Sequence, residues 1–156
     1  MKHKIHINGL PLPPDLLALI NTGKWKFPDD MTALNHIFPE HGRDFKLYTL
    51  DDMLHENASW LAEKRPMFIG APDTVKAPGD IDPKLSVLIG DLGWGSDQPI
   101  ALDYRCSMEI PRVLTLEWPG DGRNNQEFEN NRWIELAPNI LAFAELLGLN
   151  KVVPQS

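Results

Sequence analysis

Proline and glycine recur along the whole chain, and their spacing restricts the possible folds more than any other feature of the sequence. The chain has 14 prolines and 11 glycines among 156 residues, and they are spread out instead of forming one tract. Because both residues favour turns and interrupt helices, this distribution predicts short elements joined by turns, and not a linker. No apolar run approaches the roughly 20 residues of a membrane-spanning helix, and no internal repeat is present.

The length and composition suit a single domain. A chain of this length can bury roughly 70% of the surface that its unfolded form exposes, and 42% of its residues are hydrophobic. General disorder is therefore excluded. We expect residues 1–156 to form one domain.

Two helices and a short strand are predicted in the N-terminal part. The alternation in Lys2–Ile7 is typical of a short edge strand. A helix is predicted over Asp15–Thr22, because prolines precede it, one face is apolar and Gly23 follows. Thr49–Asp52 matches a capping box, which predicts a second helix that ends before Pro66. No element is assigned to most of residues 21–45.

Strand patterns dominate the middle of the chain, and a helix closes it. A loop is predicted over Ala71–Pro83 and another over Gly120–Asn131, and a helix is predicted over Pro138–Leu147. Helices, then consecutive strands, then a helix predict an α+β fold with a mostly antiparallel sheet flanked by helices. The predicted strands are Phe45–Tyr48, Met67–Ile69, Ser86–Gly90, Pro99–Asp103 and Arg112–Trp118.

The motifs of several enzyme classes are absent from the sequence. It contains no phosphate-binding G-x-x-x-x-G-K-[ST], no H-E-x-x-H and no G-x-S-x-G. Gly90, Gly93 and Gly95 do not form a dinucleotide motif, because Gln98 occupies the last position and a strand follows. A non-enzymatic protein is therefore favoured. A hydrolase with paired carboxylates stays open as a remote alternative, since the 22 acidic residues could include such a pair.

No metal or cofactor is expected. The single cysteine, Cys106, excludes an internal disulfide and every zinc site with several cysteines. The five histidines lack the spacing of metal ligands on one helical face. Cys106 follows a predicted strand without a nucleophile signature, and we expect it to be a small buried hydrophobe.

The acidic charge of the chain points to a protein partner. The net charge of −7 makes a phosphate-binding nucleic-acid protein or a polybasic membrane anchor a poor fit. Met1–Leu10 lacks the apolar stretch of a signal peptide, so a cytoplasmic location is expected. Between Asp73 and Asp103, six acids stand against two lysines.

This acidic middle is the predicted partner-binding surface, because acids and aromatic residues in loops and turns are commonly exposed interface residues. The alternative, equally weighted, is that Trp94 folds back over the sheet and that the acids only solubilise the loops. The residues predicted to contact the partner are Asp80, Asp82, Asp91, Trp94 and Asp97.

Three segments, in the expected order, resemble the SUKH superfamily, which includes the Smi/Knr-type cell-wall assembly regulators. Leu88–Tyr104 is similar to its central signature: an apolar strand, Gly-Asp, a glycine turn, and a strand that ends in Asp. Leu12–Asp15 is similar to the opening Leu-Pro helix, and Trp133–Pro138 is similar to the closing element. Trp25–Phe45 matches nothing in the family.

The resemblance implies an α+β domain without a cofactor or established catalytic residues. Bacterial members look largely like immunity proteins that neutralise a toxin domain, often a nuclease, and fungal members are regulatory interaction proteins. The leading expectation is a cytoplasmic immunity protein that binds a basic toxin domain. A regulatory protein of the same fold is the alternative. Gly93 and Gly95 would form the signature turn, and Trp133 would pack in the core.

Overall fold

A six-stranded antiparallel sheet forms the centre of the fold. The structure is a computed structural model that describes residues 4–29, 31–38, 45–92, 98–118 and 131–149. Its strands are β1 (His6–Ile7), β2 (Leu10–Pro11), β3 (Lys46–Leu47), β4 (Pro78–Gly79), β5 (Ser86–Asp91), β6 (Pro99–Asp103), β7 (Arg112–Glu117) and β8 (Arg132–Ala137). Its helices are α1 (Pro14–Asn21), α2 (Met31–Ile37), α3 (Leu50–Asn57), α4 (Pro66–Ile69) and α5 (Ile140–Leu146).

The strands follow the order β3-β5-β6-β7-β8-β4, and β1 and β2 form a separate hairpin. Every residue of β5 and β6 is buried, which shows that both faces of these strands are covered. Helix α5 packs on β7, β8 and α1, whereas α3 packs on β5 and β1. The predicted α+β class with a mostly antiparallel sheet is confirmed.

The predicted capping box is present, but its helix is shorter than expected. The Thr49 hydroxyl accepts from the Asp52 amide and the Asp52 carboxylate accepts from the Thr49 amide, both at 3.1 Å. The helix ends at Asn57. The side chain of Asn57 is turned to the sheet, where it donates to the Leu88 carbonyl and accepts from the Leu88 amide. A separate 3₁₀ turn, Trp60–Ala62, follows.

The structure corrects several sequence-based assignments, and the predicted loop Ala71–Pro83 contains the short strand β4. Met67–Ile69 was predicted as a strand, but it belongs to α4, because Pro66 suits the first turn and Gly70 ends the helix at a φ of 72°. No strand is predicted from the sequence over residues 132–137, which form β8, and Trp133 lies within this strand. The 120–131 loop prediction falls outside the described residues except for Asn131, which is buried.

Trp133 is part of the core, as predicted. Its side chain is fully buried, and it lies opposite Leu116 on β7. The indole Nε1 donates to the Phe68 carbonyl oxygen at 2.7 Å. The Trp60 ring meets it edge-on, with 6.2 Å between the ring centroids. Trp133 therefore joins the sheet to α4 and to the 3₁₀ turn.

Candidate functional site

The residues predicted to bind a partner do not form one surface. Asp80 and Asp82 precede the first residue of β5, whereas Asp91 is its last residue. A six-residue strand is about 17 Å long at its usual rise. Asp91 is only 3% exposed, so its predicted role as an accessible contact is wrong. Its position at the end of a strand covered on both faces explains the burial.

The other predicted residues divide into two groups. Asp80 and Asp82 are half-buried and already hold protein groups. Asp80 Oδ1 accepts from Arg105 Nη1 at 2.8 Å, and Asp82 Oδ1 accepts from the Lys84 amide at 2.9 Å. Both carboxylates therefore shape the chain around them. The second group lies outside the described residues, and its members are Gly93, Trp94, Gly95 and Asp97.

A network of charged side chains connects the loop of Asp80 to the sheet. Asp103, the last residue of β6, is fully buried. Its Oδ1 accepts from Arg105 Nε at 3.0 Å, and its Oδ2 accepts from Arg112 Nε at 2.8 Å. Arg112 Nη1 also lies 3.6 Å from Glu135 Oε1 at the solvent side. We call these five residues the arginine–carboxylate network.

The network keeps Asp103 ionised. Burial by itself raises the pKa of Asp103, but hydrogen bonds from Arg105 and Arg112 outweigh it and leave the pKa below its usual value. For Arg105, burial lowers the pKa, and the bonds to Asp103 and Asp80 more than compensate. A carboxylate held ionised between two guanidinium groups is poorly suited to deliver a proton near neutral pH. The network therefore gives no support to carboxylate-dependent hydrolysis.

The lowered pKa of Asp103 predicts a loss of stability in acid. The stabilisation by the ionised Asp103 is complete above the ordinary carboxyl pKa of 3.8. It disappears as the pH falls through the lower pKa that Asp103 has in the folded state. The free energy of unfolding of the wild type and of Asp103→Asn can be measured with urea from pH 7 downwards. The difference between the two should become smaller below about pH 4. A difference in the free energy of unfolding that stays constant down to pH 2 would contradict a lowered pKa for Asp103.

The same network anchors the loop between β6 and β7, which comprises residues 104–111 and which we call the β6–β7 loop. Arg105 Nη2 donates to the Asp80 carbonyl oxygen at 2.8 Å, in addition to its bonds with the carboxylates. At the start of the loop, the Tyr104 hydroxyl donates to the Pro11 carbonyl oxygen at 2.8 Å. The Ile110 amide donates to the Ser107 hydroxyl at 3.0 Å. The loop is thus bonded to the rest of the fold through Tyr104 and Arg105, and one internal bond closes its turn.

The tip of the β6–β7 loop presents apolar side chains to solvent. Met108 is 47% exposed and Ile110 is 62% exposed, and Glu109 between them is exposed as well. Cys106 is also exposed, so the expectation that it is buried is wrong. It directly follows the anchored Arg105. The sequence carried a weak signal for this site: two large apolar residues in a short segment between two strands.

A second group of acids surrounds Tyr48 at the opposite end of β5. Burial raises the pKa of the Tyr48 hydroxyl, and the nearby carboxylates of Asp91, Glu56 and Asp52 raise it further. The phenol therefore stays protonated at physiological pH. Asp52 also caps α3.

Within the described ranges, no three His, Cys, Asp or Glu side chains are grouped so as to hold a metal ion. In the same part of the chain, every helix is too short or too polar to cross a membrane. No protein-family model, curated protein or solved structure matches the chain. The resemblance to the SUKH superfamily stays a prediction.

Proposed function

We propose that the protein is a non-enzymatic binding module that acts as a cytoplasmic immunity protein of the SUKH type. Its proposed partner is a basic toxin domain with nuclease or another activity. The protein neutralises this domain by covering its surface. The observation that carries this proposal is the anchored β6–β7 loop with its exposed Met108 and Ile110.

A fixed loop with apolar side chains at its tip is suited to binding a protein. Association normally costs free energy because loops and side chains become ordered, and a loop that is already ordered reduces that cost. Methionine is enriched at protein interfaces, and a few buried side chains usually supply most of the binding free energy. Arg105 supplies the order here through its bonds to Asp80 and Asp103.

The charge of the chain supports a basic partner. With a net charge of −7, the protein attracts a basic domain over distances of about 10 Å at moderate salt, which speeds their encounter. Nucleases carry basic residues where they hold phosphate groups, so an acidic inhibitor can occupy that region. A regulatory protein of the same fold would use the same loop on a partner that is not toxic.

Co-expression tests the proposed function. The domain encoded directly upstream of the gene is expected to stop growth when it is expressed alone, and this protein should restore growth. The matched control replaces the protein with an unrelated acidic domain of similar size and charge. A domain that binds tightly without being toxic would favour the regulatory alternative. Absence of both binding and protection, with both proteins soluble, would contradict the proposed function.

A further inference from the structure

We infer that the partner docks on the end of the sheet that carries the β6–β7 loop. In this arrangement Met108 and Ile110 enter an apolar pocket of the partner, and carboxylates around the loop face Lys and Arg side chains at the rim of that pocket. The inference rests on the proposed function and adds to it a surface and a partner chemistry.

First, the segments that join β5, β6, β7, β8 and α5 at this end of the sheet all lie within the described residues. Three segments join its elements: 81–85 leads into β5, 104–111 joins β6 to β7, and 138–139 joins β8 to α5. Beside these three segments, Met108 is 47% exposed and Ile110 is 62% exposed. At the opposite end of β5, in contrast, the chain directly after Leu92 lies outside the described residues.

The second argument is the fixed geometry of the loop. Arg105 is bonded to Asp103 on the sheet and to both the carboxylate and the backbone of Asp80. Asp103 is in turn bonded to Arg112, the first residue of β7. Both ends of the β6–β7 loop are thus attached to the same buried carboxylate. The loop can present its tip without first becoming ordered, which favours tight binding.

The third argument identifies the occupant by charge. Residues 80–86, 103–112 and 135–140 contain five acids and three basic residues, a net charge of −2. Asp103 is paired with Arg105 and Arg112, and Asp80 is paired with Arg105. Among the described residues, Asp82 and Glu109 form no salt bridge, and Glu135 has only the 3.6 Å contact with Arg112. An apolar loop tip that carries Glu109, on an end of the sheet with a net negative charge, is complementary to an apolar pocket with a basic rim.

The same charges disfavour other occupants. A second copy of the chain would bring together two negatively charged sheet ends and two chains of net charge −7, and like charges across an interface weaken association. An anionic membrane surface would repel this end of the sheet for the same reason. A folded protein domain with basic residues around an apolar pocket is the occupant that fits.

Cys106 makes the surface directly testable, because it is the only cysteine and it is exposed within the loop. The wild type is labelled at Cys106 with a photoreactive benzophenone maleimide and irradiated in a lysate of the organism that encodes it. The matched control is Cys106→Ser with Leu54→Cys, which puts the label on α3 at a leucine that is 58% exposed. We expect crosslinking to a basic protein from Cys106 and much less from position 54.

The crosslinked protein is then purified and its affinity measured by calorimetry. Met108→Asp with Ile110→Asp should weaken binding by about 30-fold or more, as expected for interface anchors. Leu54→Asp, which adds a carboxylate at an exposed leucine on α3, should leave affinity unchanged. Glu109→Lys with Glu135→Lys should slow association and reduce its dependence on salt. Each variant is used after its urea unfolding matches the wild type, and Met108→Ser with Ile110→Ser replaces the aspartate pair if needed.

The outcomes separate this inference from the proposed function. Normal binding by the Met108/Ile110 variant would overturn the inference and leave the proposed function intact. An acidic crosslinked protein, or a second copy of the chain, would overturn the partner chemistry inferred here. Failure to crosslink from either position, together with no binding of the domain encoded upstream, would overturn both.

Discussion

Replacing Trp133 with alanine is expected to lower the free energy of unfolding by about 3–5 kcal/mol, the range for large aromatic truncations in cores. Trp133 is fully buried, and its ring contacts that of Trp60 edge-on. The change leaves a cavity that the sheet cannot easily close, because Gly79 and Leu116 on the neighbouring strands are fixed in register with position 133. It also removes the donor to the Phe68 carbonyl. Urea unfolding followed by far-UV circular dichroism measures the effect.

Two variants make the Trp133 result specific. Trp133→Phe keeps an aromatic ring but leaves the Phe68 carbonyl without its Nε1 donor. The free energy of unfolding should therefore still fall by about 1–3 kcal/mol, the cost of a buried polar group left unpaired. Trp118→Ala removes the same residue type from a half-buried position and should cost less. If Trp118→Ala and Trp133→Ala lowered the free energy of unfolding equally, burial at position 133 would not be the cause of the destabilisation.

The strands and caps that depend on local sequence could be predicted. Ser86–Gly90, Pro99–Asp103 and Arg112–Trp118 each differ from the observed strand by at most one residue, because runs rich in Val, Ile and Leu between turn residues are typical of buried strands. The capping box of Thr49 and Asp52 could also be predicted, since both groups lie within one helical turn.

Elements whose identity depends on distant contacts could not be predicted. Met67–Ile69 is too short for its apolar pattern to distinguish a strand from a helix. Strand β8 alternates imperfectly, and the residues that pair with it on β7 and β4 lie 15 or more positions away in the chain. The end of α3 is set by the bonds of Asn57 to Leu88, 31 residues further along the chain.

The candidate site illustrates the same limit for charged residues. Asp80, Asp82 and Asp91 are equally acidic in the sequence, and only the strand order shows that they lie at two ends of β5. Asp80 meets Arg105 across 25 positions, and Asp103 meets Arg112 because the two residues are opposite each other in β6 and β7. The net charge shows that the protein is acidic, but salt bridges and burial in the fold decide which carboxylates can contact a partner.

Replacing Asp103 with asparagine is expected to lower the free energy of unfolding at pH 7 by about 3–5 kcal/mol, the range for removing one member of a buried ion pair. The amide has nearly the shape of the carboxylate, so little packing is lost. Arg105 and Arg112, however, keep their charges at largely covered positions while the negative charge between them is gone. The amide nitrogen also cannot accept either guanidinium hydrogen bond, so one arginine loses its acceptor.

Glu135→Gln is the matched control for Asp103→Asn, because it removes one negative charge from the same network at its solvent side. The Glu135 side chain is 44% exposed and 3.6 Å from Arg112, so the change should cost less than about 1 kcal/mol. Raising the salt concentration should reduce the Glu135 effect and leave most of the Asp103 effect, since buried charges are poorly screened. Hydrogen exchange of residues 105–110 should accelerate in Asp103→Asn. If both variants lowered the free energy of unfolding equally and in a salt-dependent way, Asp103 would act as a surface charge. The β6–β7 loop would then not be anchored through Asp103.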